Sequence, residues 1–143
     1  MKKIYALALL FFILFQYSCS KEPTQSYDER IIGTWKISGV KGGNISNLPF
    51  TGGTFTFYAN GSLDYLNAVN TTFKGSWDVI EKEVYNEIDN YNETIYSLQV
   101  FAIDFVNQQV LTQYYDEMEF TSTNSFRAKI ISGSRTYETF FER

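Results

Sequence analysis

A period of two in the apolar positions runs through the start of the chain's globular part and predicts its first strand. Ile31, Gly33, Trp35 and Ile37 occupy odd positions, whereas positions 34, 36 and 38 are polar, and this period is typical of a strand with one buried and one solvated face. A tryptophan buries about 200 Å², and Gly33 has no Cβ to keep a neighbouring side chain off the ring. We therefore expect Trp35 to anchor the core.

The same alternation on both sides of a short polar break predicts a hairpin with a loop at residues 59–61. A loop of this length pairs Phe57 with Leu63 and Phe55 with Tyr65, so that apolar side chains share one face. A two-residue turn would instead pair Phe57 with an aspartate. The three-residue loop also has glycine at its third position, where the left-handed conformation is required.

A third alternating segment, residues 73–79, repeats the Gly-x-Trp arrangement and predicts that Phe73, Trp77 and Val79 face inward. The acidic, Asn-rich residues 81–93 that follow predict a long solvated connection.

The apolar parity then changes. Even positions are apolar up to Val100 and odd positions from Phe101 onward, which predicts a bulge or bend between these two residues. Residues 106–115 leave two possibilities open, one or two helical turns or an irregular crossing.

The C-terminal third predicts two hairpins. Pairing Phe120 with Phe126 and Met118 with Ala128 requires a loop at residues 122–124, where Asn tolerates a left-handed conformation.

The second of these hairpins has a two-residue turn, Gly133-Ser134. Its cross-strand pairs are Ile130 with Tyr137, Ala128 with Thr139, and Phe126 with Phe141. The final strand then directs its odd-numbered side chains inward, and Arg143 has the same parity.

The N-terminus predicts export. Two lysines precede an apolar run from Ile4 to Phe15, which is too short to span a bilayer and typical of a secretory signal over residues 1–18. The only cysteine, Cys19, follows the signal, so an internal disulfide is excluded. Residues 19–29 are polar and charged and predict a flexible tether, which leaves residues 30–143 as one domain.

The signal and Cys19 resemble a bacterial lipoprotein signal, in which the residue after the cut is a cysteine that receives lipid. This resemblance implies a membrane anchor at Cys19, the alternative being a secreted protein with a free thiol. Ser20-Lys21-Glu22 is similar to the signal that sends Bacteroidetes lipoproteins to the surface of the outer membrane. Surface exposure is favoured over the periplasm-facing leaflet, and both stay open.

Charge and residue content argue against several classes of function. Without residues 1–18 the chain has ten basic and sixteen acidic residues, which argues against binding nucleic acid. The absence of histidine excludes Ser-His-Asp and Cys-His catalysis and imidazole zinc sites. The carboxylates lie in stretches that predict solvated loops, and residues 89–93 lack the glycine and distal glutamate of a full calcium loop. We therefore expect no enzyme activity, no metal and no cofactor.

The ordered set of motifs resembles the small lipocalin-like lipoproteins of Bacteroidetes. It consists of the signal with its cysteine, Ile32 to Lys36, Phe55 to Ser62, Gly75-Ser-Trp77, and Phe120 to Arg143. The resemblance implies an all-β fold, an up-and-down antiparallel barrel of about eight strands. It also implies that the barrel base is built by Gly33, Trp35 and Arg143, with the arginine packed across the ring.

The barrel interior is the candidate site. An aromatic inward set makes Phe57, Tyr65, Trp77 and Tyr96 candidate ligand-binding residues for a small apolar or amphipathic molecule. Eight strands also allow an interior filled by side chains. In that alternative the protein is an envelope interaction or structural module that contacts a protein partner through residues 42–53 and 81–93, with outward aromatics such as Tyr58 and Phe140.

Overall fold

The computed structural model describes residues 25–143, and the predicted signal and Cys19 lie outside this range. Over these residues the fold is all-β, with one short α-helix, one 3-10 helix (Ile45–Asn47) and nine strands. The helix is α1 (Tyr27–Ile31), and the strands are β1 (Gly33–Lys41), β2 (Thr54–Phe57), β3 (Ser62–Leu66), β4 (Thr72–Asn86), β5 (Tyr91–Asp104), β6 (Gln109–Tyr115), β7 (Glu117–Ser122), β8 (Ser125–Ser132) and β9 (Arg135–Glu142).

All nine strands belong to one antiparallel sheet in the order β6-β5-β4-β3-β2-β1-β9-β8-β7. The nine strands of the described residues agree with the expectation of about eight. Within residues 25–143 the sheet is not closed into a barrel, because β6 and β7 stand at its two ends and no ladder joins them. Only Asp116 separates these two strands, which is too short for a hairpin loop. Each strand therefore pairs with a different neighbour, β6 with β5 and β7 with β8.

The core is aromatic and centres on Trp35, which is fully buried. The Phe126 ring lies 4.8 Å from the indole, edge to face, and stacks on Phe141 at 4.2 Å. Phe50, from the loop between β1 and β2, packs against Phe55 at 5.1 Å. Ring pairs at such separations add stability beyond the area they bury. The single core thus joins residues from both halves of the sheet.

Most predicted registers are confirmed. Phe57 pairs with Leu63 across a loop in which Gly61 has a φ of 78°. The last hairpin has the predicted pairs and a φ of 60° at Gly133. The pairs of Phe120 with Phe126 and of Met118 with Ala128 are also confirmed, but the loop is shorter than predicted, with Ser122 opposite Ser125 and a bulge before Ser122.

The prediction of a connection over residues 81–93 is wrong, although nearly all of these residues are exposed, as expected. These residues continue β4 and β5 as a long hairpin whose pairs run without interruption to Asn86 opposite Tyr91. β3 pairs with β4 only as far as Ser76, and β6 pairs with β5 only from Leu98 onward. Residues 81–86 and 91–96 therefore form a two-stranded ribbon with no further strand laddered to either edge, called the β4–β5 ribbon below.

The predicted bulge at Val100-Phe101 is also wrong. β5 keeps one register with both neighbours, and its even positions stay buried through Ala102 and Asp104. Phe101 faces outward, 40% exposed, and Phe105 lies in the next turn, 74% exposed.

Two other segments also differ from expectation. Residues 109–115, within the stretch predicted to be helical or irregular, form β6. At the other end, Tyr27–Ile31 are helical, so the tether predicted to reach residue 29 ends earlier and Ile31 belongs to α1 instead of the first strand. The backbone N–H of Ser26 donates to the Glu29 carboxylate (3.3 Å), which helps to start this helix.

Candidate ligand-binding groove

One end of the core is sealed around Trp35 by residues from both termini of the domain. The Trp35 indole N–H donates to the carbonyl of Ile31 (2.6 Å), and the Arg143 guanidinium lies 4.2 Å from the centre of the indole. The same guanidinium donates to the carbonyls of Ile32 (2.7 Å) and Arg30 (2.9 Å). A Cβ at Gly33, whose φ is 125°, would lie 3.4 Å from the Arg143 Nη2. These contacts are structural and leave no opening for a ligand at the indole.

The structure separates Tyr96 from the other three residues predicted to bind a ligand, which belong to the core. Phe57 and Tyr65 are buried in the core, and Trp77 packs edge to face on Phe57 at 5.6 Å. The polar groups of two of them are already engaged, since the Trp77 indole donates to the carbonyl of Tyr58 (3.0 Å) and the Tyr65 hydroxyl to that of Gly52 (2.6 Å). Tyr96 lies elsewhere, half-buried between the β4–β5 ribbon and β7.

Tyr96 lines a groove of about 350 Å³ at the place where the sheet does not close. The groove lies between residues 93–96 of β5 and residues 117–119 of β7 and is called the seam groove below. It arises because β6 covers β5 only from Leu98 onward. At its inner end the two strands are tied together, since the Ser97 hydroxyl donates to the carbonyl of Asp116 (2.9 Å).

The inner wall of the seam groove is apolar. The ring of Tyr27, from α1, stacks on Tyr96 at 3.7 Å with an interplanar angle of 7°. Tyr27 also meets Phe120 edge to face at 5.2 Å, and the Arg30 guanidinium lies 4.0 Å from the centre of the Phe120 ring. Met118 is buried and contributes a flexible side chain to the lining. The helix thus supplies one aromatic side of the groove.

The outer rim is charged, and its two cations are each paired with a carboxylate, while Glu93 adds a third carboxylate to the lining. Lys129 donates to Glu117 (2.6 Å) and Arg127 to Glu119 (2.6 Å), and all four residues line the groove. The hydrogen bond that Arg127 donates to Glu119 raises the pKa of Arg127 further above its ordinary value. Burial, followed by the charge of Glu81, raises the pKa of Tyr96, so its hydroxyl is neutral at physiological pH. The arrangement can bind an apolar body and a polar head, and it presents no activated nucleophile.

Sequence reasoning missed three residues of this region. Tyr27 lies in a polar stretch without periodicity, although Ser26 with Glu29 three positions later is a helix-start signature. Met118 was assigned to a core-facing strand, with no indication that the groove lies beside it. Tyr115 lies in the ambiguous segment and in the core next to the groove, where it packs against Phe141. Burial raises the pKa of its hydroxyl, and within residues 25–143 neither this hydroxyl nor that of Thr139 has a hydrogen-bond partner.

No protein-family model, curated protein or solved structure matches the chain. Among residues 25–143, no helix is long and apolar enough to cross a membrane.

Proposed function

We propose that this protein is a membrane-anchored, lipocalin-like lipoprotein that binds a small apolar or amphipathic molecule. In this proposal the curved sheet serves as a lipocalin-like barrel, and the open seam between β5 and β7 is where the ligand enters. The observation that carries the proposal is the seam groove, whose volume of about 350 Å³ lies in the range of small-molecule sites.

The chemistry of the groove favours an amphipathic ligand. The stacked rings of Tyr27 and Tyr96 and the buried Met118 suit an apolar body. The paired charges of Lys129 and Glu117 at the rim suit a polar head that stays in contact with water. An interior filled by Trp35, Phe126 and Phe141 leaves the seam as the better location, in place of the barrel centre expected from the sequence.

The proposed anchor would keep the groove near the membrane. Tyr27, which lines the groove, is eight positions after Cys19, and eight residues span at most about 30 Å. A membrane amphiphile would therefore be within reach of the site. In this proposal the protein is exported to the outer membrane, with surface exposure favoured over the periplasm-facing leaflet.

Native mass spectrometry of the protein extracted from its own cells tests ligand binding. We expect an added mass on the wild-type protein that is lost or strongly reduced in Tyr96→Ala. Tyr91→Ala is the matched control, because Tyr91 lies on the same strand, is exposed and does not line the groove. A wild-type protein without added mass, or equal loss in both variants, would contradict the proposal.

Membrane fractionation tests the anchor separately. Cys19→Ser should move the protein from the membrane fraction to the soluble fraction, because several acyl chains together hold a protein on a membrane. Continued sedimentation of Cys19→Ser with the membranes would argue against lipidation.

A second candidate function is favoured by the β4–β5 ribbon. Its tip exposes Val84, Tyr85, Ile88 and Tyr91, with Ile88 93% exposed. Exposed apolar side chains grouped in this way are typical of protein contacts, and they support an envelope interaction module with a solid core. Pull-down of a stable partner should fail with Ile88→Asn but succeed with Phe105→Asn, which alters an exposed residue in a different turn.

A further inference from the structure

A second groove lies on another part of the molecule, between the loop that follows β1 and the turn that joins β8 to β9. Its volume is about 530 Å³. The loop contributes Asn44 and Asn47, the end of β8 contributes Ser132, the turn contributes Ser134, and β9 contributes Arg135 and Tyr137. The seam groove shares no lining residue with it. This second groove is called the turn groove below.

The loop after β1 can form one side of the turn groove because residue 42 is a glycine. Gly42 has a φ of 136°, and a Cβ there would lie 2.7 Å from Tyr137 Cδ1 and 2.9 Å from the carbonyl oxygen of Thr136. The backbone can therefore pass directly over Tyr137 only without a side chain. The turn groove is thus set by close packing of the loop on β9.

The loop is also fixed by a hydrogen bond of its own. The Asn44 side-chain oxygen accepts from the Ser46 backbone N–H (3.1 Å) and begins the 3-10 helix Ile45–Asn47. This bond leaves the Asn44 amide N–H groups available. Leu48 and Ile130 add half-buried apolar surface beside these polar groups.

The lining of the turn groove is positively charged, whereas the chain as a whole has a formal net charge of −4. Arg135 is the one charged residue of its lining, which contains no carboxylate. A Cβ at Gly43 would lie 3.8 Å from Arg135 Cδ and 3.6 Å from the Tyr137 hydroxyl, so the stem of the arginine and the phenol reach the same part of the loop. The cations of the seam groove, by contrast, are neutralised by Glu117 and Glu119.

We propose that the turn groove binds a small polyhydroxylated carboxylate, an acidic sugar being the fitting chemical class. Arg135 provides the planar, two-donor geometry that matches a carboxylate. The amides of Asn44 and Asn47 and the hydroxyls of Ser132 and Ser134 match the alternating donors and acceptors of sugar hydroxyls. The half-buried side chains of Leu48 and Ile130 suit the C–H groups of a pyranose. This site is independent of the seam groove and of the function proposed for it.

Titration of the purified full-length protein with glucuronate, followed by amide NMR shifts, tests the proposal. We expect saturable shifts at Gly43, Asn47 and Arg135, with a dissociation constant of about 1 mM or tighter. Glucose, which lacks the carboxylate, should bind at least about tenfold more weakly because the charge-assisted hydrogen bond is lost.

Two charge-neutralising variants complete the test. Arg135→Gln should weaken glucuronate binding by at least about tenfold, and because this residue is exposed at the first position of β9, the fold should be unaffected. Lys74→Gln changes the net charge equally on a distant exposed strand and should leave binding unchanged. No saturable shift with glucuronate, equal affinity for glucose, or equal weakening by both variants would overturn the proposal.

Discussion

The surroundings of Trp35 and the β4–β5 ribbon are built from the same alternation of side chains, yet they differ in burial. Trp35 lies on β1, which has a laddered neighbour on each side and a core beneath it. The ribbon has only its own two strands, and Tyr85 and Tyr91 are both more than half exposed. Alternation therefore produces a buried face only where other strands and elements cover it. An isolated two-stranded ribbon is marginally stable in water, so its stability depends on the sheet from which it extends.

The largest expected effect is at the centre of the covered region. Trp35→Ala should lower the free energy of unfolding by about 3–5 kcal/mol, because a fully buried indole and its contacts are lost. Chemical denaturation followed by tyrosine fluorescence measures the change. An unchanged midpoint would mean that this region is no more tightly packed than the ribbon.

Gly75 lies on β4 in the covered part of the sheet, one residue before the last pair of β4 with β3. A Cβ at Gly75 would overlap the carbonyl of Phe101 on the neighbouring strand, so Gly75→Ala should destabilise by about 1–3 kcal/mol through overpacking. Gly39→Ala is the matched control, because nothing lies within 4 Å of a Cβ there, and it should change stability by less than about 0.5 kcal/mol. Thermal unfolding of the two variants side by side would show whether strand contact or glycine itself decides the effect.

The arginine that covers the indole should have a smaller effect. Arg143→Gln removes the cation from the face of Trp35 and should cost about 0.5–2 kcal/mol. Arg135→Gln, which alters an exposed arginine at a turn, should leave the unfolding midpoint unchanged. Equal effects of both variants in urea denaturation would indicate that the contact with the ring contributes nothing.

The smallest effect is expected at the tip of the ribbon. Tyr85→Ala removes an exposed side chain and should change the free energy of unfolding by less than about 0.5 kcal/mol. If Tyr85→Ala lowered the free energy of unfolding as much as Trp35→Ala in the same denaturation experiment, Tyr85 would have to be buried in solution. The two regions would then not differ in burial.

Strand registers were predictable where two independent signals agreed. For β2 and β3, one register satisfied both the loop chemistry of Gly61 and the pairing of Phe57 with Leu63. In β5 such agreement was absent. The even positions continue inward as Ala102 and Asp104, a small residue and an acid, while Phe101 and Phe105 stay on the surface. Apolar side chains are common on protein surfaces, so hydrophobicity alone indicated the wrong face.

The ribbon was missed for a related reason. Its residues are acidic and Asn-rich, a composition that is depleted in strands, and only the pairing of β4 with β5 beyond Val79 makes them a hairpin. The seam groove was only partly predictable. Tyr96 was a candidate from its parity, but its partner Tyr27 comes from a five-residue helix, too short to show a helical period.

The order of residues by itself determined the all-β class, the hairpin registers around β2, β3, β8 and β9, and the inward direction of Trp35, because alternation and turn chemistry act over neighbouring positions. Tertiary structure decided which strand edges remain unpaired. The single residue between β6 and β7 leaves the sheet open, and α1 packs beside that opening. Such contacts join residues far apart in the chain, and the pattern of neighbouring residues does not predict them.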